Sequence, residues 1–141
     1  MTKRNATTRE LEHTGDIAIE ITAASRAELF AEAVVAMGRI MYDAGRVEPR
    51  ERRRIAVNGS GDADLMHDLL ARALNLLLID GFVWRDATVT ARDEAIEAEL
   101  IGEPFDRARH EVHEELKAVT YHRLTVEHTA AGWRAIVIFD A

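Results

Sequence analysis

The stretch Phe82-Val-Trp-Arg-Asp-Ala-Thr-Val-Thr-Ala91, followed by Arg92-Asp93-Glu94 and then Ala95-Ile-Glu-Ala-Glu-Leu-Ile101, decides the fold class. Two runs of strand-forming residues around a tight polar turn read as an antiparallel hairpin. Downstream, Ala118–His128 and Trp133–Phe139 read as two more strands, linked through Ala130-Ala131-Gly132. Trp133, Ala135, Val137 and Phe139 share one face of the last strand. Between the hairpins, Gly102-Glu103-Pro104 reads as a break, and Asp106 to Glu115 as a loop or a helical turn.

Upstream of the hairpin the periodicity changes. Ser25-Arg26-Ala27-Glu28 is a capping box, in which the serine oxygen accepts an early backbone N–H. The helix that follows places Leu29, Phe30, Ala33, Val34, Met37, Ile40 and Met41 along one face and should stop near Ala44-Gly45. Arg54–Val57 reads as a short strand closed by Asn58-Gly59-Ser60-Gly61. Asp62 or Asp64 then caps a second helix running to about Asp80, with Gly81 as its stop. That helix has little polar face, so it is buried, or it presents part of itself to a partner; burial is favoured. At the start, Glu10–Ala23 forms two extended pieces around His13-Thr14-Gly15-Asp16, with Ile17, Ile19 and Ile21 alternating with polar or small residues. Strands, two helices and then hairpins imply an α+β domain, mostly antiparallel, with helices on one sheet face.

A chain of 141 residues fits a single domain, 1–141, large enough to fold without a disulfide or structural metal. It has no cysteine, which removes thiolate metal sites and cysteine nucleophiles. Neither a secretory signal nor a membrane-spanning run is legible, so no membrane role and a cytoplasmic location are the expectation. Asp and Glu outnumber Lys and Arg 25 to 18, a net charge of −7. Proteins that grip phosphate backbones need a basic face. The one basic cluster, Arg50, Arg52, Arg53 and Arg54, is interrupted by Glu48 and Glu51 and reads as the charged edge of a strand. Direct RNA binding is not expected, and an acidic body suits a basic protein partner.

Motif by motif, the chemistry is sparse. No phosphate-binding glycine loop and no nucleophile elbow is present. His110-Glu111-Val112-His113 lacks zincin spacing and reads as exposed loop histidines. At the chain end, Asp140 and the carboxylate of Ala141 follow an ordered strand, placing two anions side by side. If Asp16 lies across from them, three carboxylates converge and require a cation. All-oxygen donors favour calcium or magnesium over zinc.

Three segments together resemble one family. Glu12-His13-Thr14-Gly15-Asp16, Gly102-Glu103-Pro104-Phe105-Asp106 through Lys117-Ala118-Val119-Thr120-Tyr121-His122, and Gly132-Trp133 through Phe139-Asp140-Ala141 are similar to the archeases. The resemblance implies a small α/β sandwich that activates an RtcB-type RNA ligase in tRNA splicing and RNA repair. It implies promotion of guanylylation of the ligase histidine and of multiple turnover, with GTP and RNA met only through the ligase. It implies metal ligands at Asp16, Asp140 and Ala141, with calcium ahead of magnesium or manganese, and a functional lysine at Lys117. Two positions depart from the family pattern: Ala141 replaces a larger aliphatic residue, and Gly15 stands where alanine is common. Two rival readings are a metal-dependent hydrolase, with Asp16 and Asp140 on the cation and His13 as base, and a chaperone-like module using the apolar second helix.

Overall fold

The computed structural model describes residues 4–11 and 15–141. The hairpin consists of β4 (Phe82–Arg92) and β5 (Ala95–Pro104), paired from Arg92↔Ala95 to Phe82↔Pro104 with a bulge between Trp84 and Asp86. β3 (Glu51–Asn58) covers the other side of β5, giving a three-stranded sheet in the order β3-β5-β4. Its inner face buries Ile55, Val57, Ile96, Ala98 and Leu100. The outer face carries cross-strand ion pairs, Arg52 with Glu99 and Arg54 with Glu97. The arginine cluster is thus the charged edge of a strand, as its interruptions suggested.

Gly102-Glu103-Pro104 is not a break, because β5 runs through it. A Cβ on Gly102 would lie 1.8 Å from the carbonyl oxygen of Val83, so only glycine lets β4 approach this closely. The expected single strand over Ala118–His128 is also divided. β6 (Ala118–Val119) and β7 (Thr125–Thr129) both pair with β8 (Gly132–Asp140), and the residues between them loop outward. Three contacts hold that loop. The Thr120 hydroxyl donates to the carbonyl of Ile138, the Leu124 N–H donates to Tyr121, and Tyr121 stacks on His67 at 3.8 Å. Arg123 takes a left-handed backbone there, with φ 54°.

β1 (Ala6–Leu11) and β2 (Asp16–Ala23) complete a five-stranded sheet in the order β1-β2-β8-β6, with β7 also on β8. There are therefore two antiparallel sheets in this α+β fold. One buried cluster joins Ile19, Ile21, Val137 and Phe139 of the larger sheet to Ile96 and Leu100 of the smaller one. The helices supply the rest of that cluster.

Helix α1 (Arg26–Met41) starts at its capping box: Ser25 accepts the Glu28 N–H at 3.2 Å. The Glu28 carboxylate bonds the Ser25 hydroxyl and the Asn5 N–H, tying the helix start to the chain before β1. The helix stops before Ala44-Gly45, where a short 3-10 turn sits instead. Tyr42 ends it, its buried hydroxyl donating to the Trp84 carbonyl at 2.6 Å and accepting the Trp84 N–H at 2.7 Å. Those bonds require an extended backbone at Tyr42, which no local sequence signal announces.

Helix α2 (Asp62–Leu78) begins after Gly61 with no side-chain cap. Asp62 lies inside the first turn and accepts from Arg26, whose guanidinium also reaches the carbonyls of Arg92 and Asp93. One arginine thereby joins both helices to the β4–β5 turn. Leu65, Met66, Leu69, Leu70, Ala73 and Leu74 are buried, each large side chain contributing roughly 1.5–3 kcal/mol. The last residues differ, with Leu78 58% and Ile79 76% exposed. Burial holds for one face of the helix, six of its 17 residues, and its C-terminal end faces outward. Among the described residues, no helix is long and apolar enough to cross a membrane.

Candidate functional site

β2 starts at Asp16 and β8 ends at Asp140, and the register pairs these two residues directly. Gly15 precedes the pair at φ 79°, a backbone that favours glycine. Opposed residues of an antiparallel pair project from the same face, with Cβ atoms roughly 4.5–5.5 Å apart. Both carboxylates therefore project from the outer face, in the row that continues through Ala18 and Ile138, both buried. Asp16 is half-buried, while Asp140 and Ala141 are exposed.

On its other side Asp140 pairs with Ala118, and the Lys117 N–H donates to the Asp140 carbonyl at 2.7 Å. Lys117 immediately precedes β6, which is only the two residues Ala118–Val119. The Lys117 side chain is exposed beside the end of β8. The fold thus brings Asp16, Asp140, Ala141 and Lys117 to one corner of the larger sheet. His13 lies outside the described residues.

Two aspartates directly opposed across a strand pair repel each other. Further along the same face the charges alternate: Glu20 accepts from Arg9 at 2.8 Å and Arg134 at 2.6 Å, and Arg134 reaches Glu127 at 2.9 Å. The hydrogen bond from Arg134 holds the Glu20 carboxyl below its usual range. Among the described residues, no three His, Cys, Asp or Glu side chains are grouped to hold a metal. What the corner offers is two side-chain carboxylates, oxygen-only chemistry of the kind a hard divalent cation would take.

A second carboxylate centre went unread in the sequence. Glu103, 1% exposed, accepts from Arg109 at 2.6 Å, His110 at 2.8 Å and the Glu48 N–H at 2.8 Å. Burial pushes its pKa up, but Arg109, the Glu48 N–H and His110 outweigh that and hold it at about 2. The Asp106 N–H donates to Nδ1 of His110, so the proton on Nε2 is the one given to Glu103. His110 is therefore no exposed loop histidine, although His113 is exposed. His110 is buried because it is the hydrogen-bond partner of a buried carboxylate. The one local signal for it is a glutamate between the required Gly102 and Pro104, inside β5.

Beside Lys117 lies a cleft of about 580 Å³ lined by Tyr42, Leu77, Leu78, Phe105, Val112 and Leu116. Its outer wall is the segment after β5. The Phe105 N–H donates to the Gly81 carbonyl, the His113 N–H to the Met41 carbonyl, and Val112 bridges to Tyr42.

The family model described as "Archease protein family (MTH1598/TM1083)" matches residues 9–141. "Protein archease" of Methanopyrus kandleri is 35% identical over 135 residues, covering 93% of this chain and 96% of that one. "Protein archease" of Pyrococcus abyssi is 33% identical over 134 residues, covering 92% and 94%. Among solved structures, Methanobacterium thermoautotrophicum protein 1598 superposes with a TM-score of 0.80 at 24% identity, covering 95% of this chain and 98% of that one. An archease from Thermotoga maritima, called there a possible chaperone, gives 0.66 at 23% identity, covering 94% and 96%. These two establish the fold alone.

Proposed function

The chain belongs to the archease family, and from that premise we propose that it is a non-enzymatic, metal-dependent activator of an RtcB-type RNA ligase. It promotes guanylylation of the ligase histidine and multiple turnover, in tRNA splicing or RNA repair. The observation that carries this reading is the Asp16↔Asp140 pairing. It supports a cation held by Asp16, Asp140 and the Ala141 carboxylate, with calcium ahead of magnesium or manganese. The chemistry such an ion supplies when bound is Lewis-acid charge that offsets negative phosphoryl oxygens. The chain's own part is to hold three oxygens at one sheet corner and to present Lys117 beside them. His13, three residues before Asp16, is assigned to the same functional corner.

GTP and RNA are met through the ligase. The net charge of −7 and the neutralisation of Arg52 and Arg54 by Glu99 and Glu97 support this. The test is a guanylylation assay with purified ligase, GTP and metal, comparing wild type with Asp16→Ala. Loss of stimulation by a folded variant is expected; near-normal stimulation removes the site assignment. A second reading, a chaperone-like module, draws on the exposed Leu78, Ile79 and Val112. It predicts rescue of unrelated aggregating proteins with no ligase present.

A further inference from the structure

Four large hydrophobic side chains are conspicuously exposed among the described residues: Leu78, Ile79, Val112 and Tyr121. Tyr121 is accounted for by its stacking on His67. The other three gather at one place, since Leu78 and Val112 line the cleft beside Lys117 and Ile79 follows Leu78. Exposed apolar side chains clustered on a pocket of this size mark a binding face more often than chance packing.

Three charged residues line the cleft, two glutamates and Lys117, leaving it net negative. Glu114 and Glu115 line the cleft, both exposed, and neither has an ion-pair partner among the described residues. On the sheets, by contrast, Glu20, Glu97, Glu99 and Glu103 each meet an arginine. An apolar floor with an unmatched acidic rim is complementary to an amphipathic segment carrying Lys or Arg at its flanks. The outer wall is tied to the body by the buried Glu103–His110 bond and the Phe105–Gly81 and His113–Met41 backbone bonds, which reduces the ordering that binding requires.

We propose that this cleft is the docking site for a basic amphipathic segment of the ligase, resting on the activator reading above. The segment's large aliphatic or aromatic side chains enter between Leu78 and Val112, and its basic flank meets Glu114 and Glu115. Lys117 also lines the cleft, and its backbone N–H bond to Asp140 joins the cleft to the carboxylate corner. Docking here therefore sets the partner's body beside Asp16 and Asp140. The cleft supplies affinity and the carboxylate corner supplies activation.

The experiment measures binding of the full chain to ligase by calorimetry or anisotropy, alongside stimulation. Leu78→Lys and Val112→Lys each remove an apolar anchor and repel a basic segment, and a lysine at Leu78 suits the C-terminal end of a helix. Each should raise the Kd at least about tenfold, the equivalent of ~1.4 kcal/mol, with unchanged melting temperature and calcium affinity. The paired change Glu114→Lys with Glu115→Lys should flatten the salt dependence of binding. Asp16→Ala should keep binding and lose stimulation. If Leu78→Lys and Val112→Lys both bind as wild type does while wild type stimulates, the cleft assignment is overturned and the activator reading stands. If wild type binds through the cleft without stimulating, the activator reading falls and the docking site stands. No binding by wild type overturns both. Self-association of the chain that Leu78→Lys dissolves, with ligase affinity untouched, overturns the proposal in favour of a second copy.

Discussion

Glu103 and the Asp16–Asp140 pair are both carboxylate centres at strand ends, but their surroundings are opposite. Glu103 is buried, and a guanidinium, an imidazole N–H and a backbone N–H converge on it. Its charge is internally compensated, so burial does not neutralise it. Asp16 faces Asp140 across two strands near the surface, and the fold sets like charge against like. The first arrangement closes a structure, while the second sets two acidic side chains together at the edge of the fold, where we place the cation. The more distinctive motif, Gly-Glu-Pro-Phe-Asp, thus does structural work, and the proposed activating chemistry falls to the short His-Thr-Gly-Asp motif.

The sharpest way to break this comparison is Glu103→Ala. It strands Arg109 and His110 without their acceptor and should cost about 3 kcal/mol, read as a shift of the urea midpoint. That is a large part of a typical ~5–15 kcal/mol total. Cleft-dependent ligase binding should fall with it, because the Phe105–Val112 wall loses its anchor. A variant as stable as wild type would mean that Glu103 is not the fastening point.

The same centre makes a pH prediction. The folded pKa of Glu103 is about 2, below the ordinary 4.5. A depressed carboxylate contributes stability that is fully present above the unfolded value and is lost as pH falls through the folded one. Stability should therefore decline between about pH 4.5 and pH 2, measured by urea titration at each pH. Glu103→Gln should flatten that decline without abolishing it, because Glu20 and Asp106 are lowered too, by bonds from Arg134 and from the Ala108 N–H.

Asp16→Ala should behave in the opposite manner. Stimulation of guanylylation should drop at least about tenfold, while stability falls much less than in Glu103→Ala, since Asp16 is only half-buried and sits at the end of a strand. A large loss of stability would place Asp16 in the same class as Glu103.

How much of this was legible in the sequence follows a physical divide. Local signals survived: the Ser25 cap, the alternation of Ile17, Ile19 and Ile21, and the charged edge at Arg52 and Arg54 all act over a few residues. Three readings failed where a distant partner decides. Tyr42 ends α1 because Trp84 takes its hydroxyl, Gly102 continues β5 because Val83 presses on it, and Thr120 splits the strand by bonding Ile138. His110 is buried by a carboxylate seven residues away. The Asp16–Asp140 pairing was legible only as a condition, because sequence order does not state that β2 lies beside β8. The exposed end of α2 was visible as an unusual lack of polar residues, and its division into buried and presented parts depends on where the β5–β6 segment packs.

The smallest expected effect concerns Ala141, and it refines the comparison by counting the charges that face the cation. If the Ala141 carboxylate is the third donor, one added glycine turns it into a neutral amide oxygen. Such an oxygen still coordinates calcium, so the site survives with two charges instead of three. Calcium affinity should fall severalfold, roughly three- to tenfold, about 0.7–1.4 kcal/mol. Ligase stimulation should fall in step at limiting calcium and recover at saturating calcium. The melting temperature without metal should not change, because Asp140 is the last residue of β8 and the extension begins beyond it. An equivalent residue added before Met1 serves as the control and should alter neither quantity. Calorimetric titration of the three proteins decides the matter. Equal calcium affinity in all three would leave Asp16 and Asp140 as the only ionic donors of the chain, with the remaining coordination supplied by water or by the ligase.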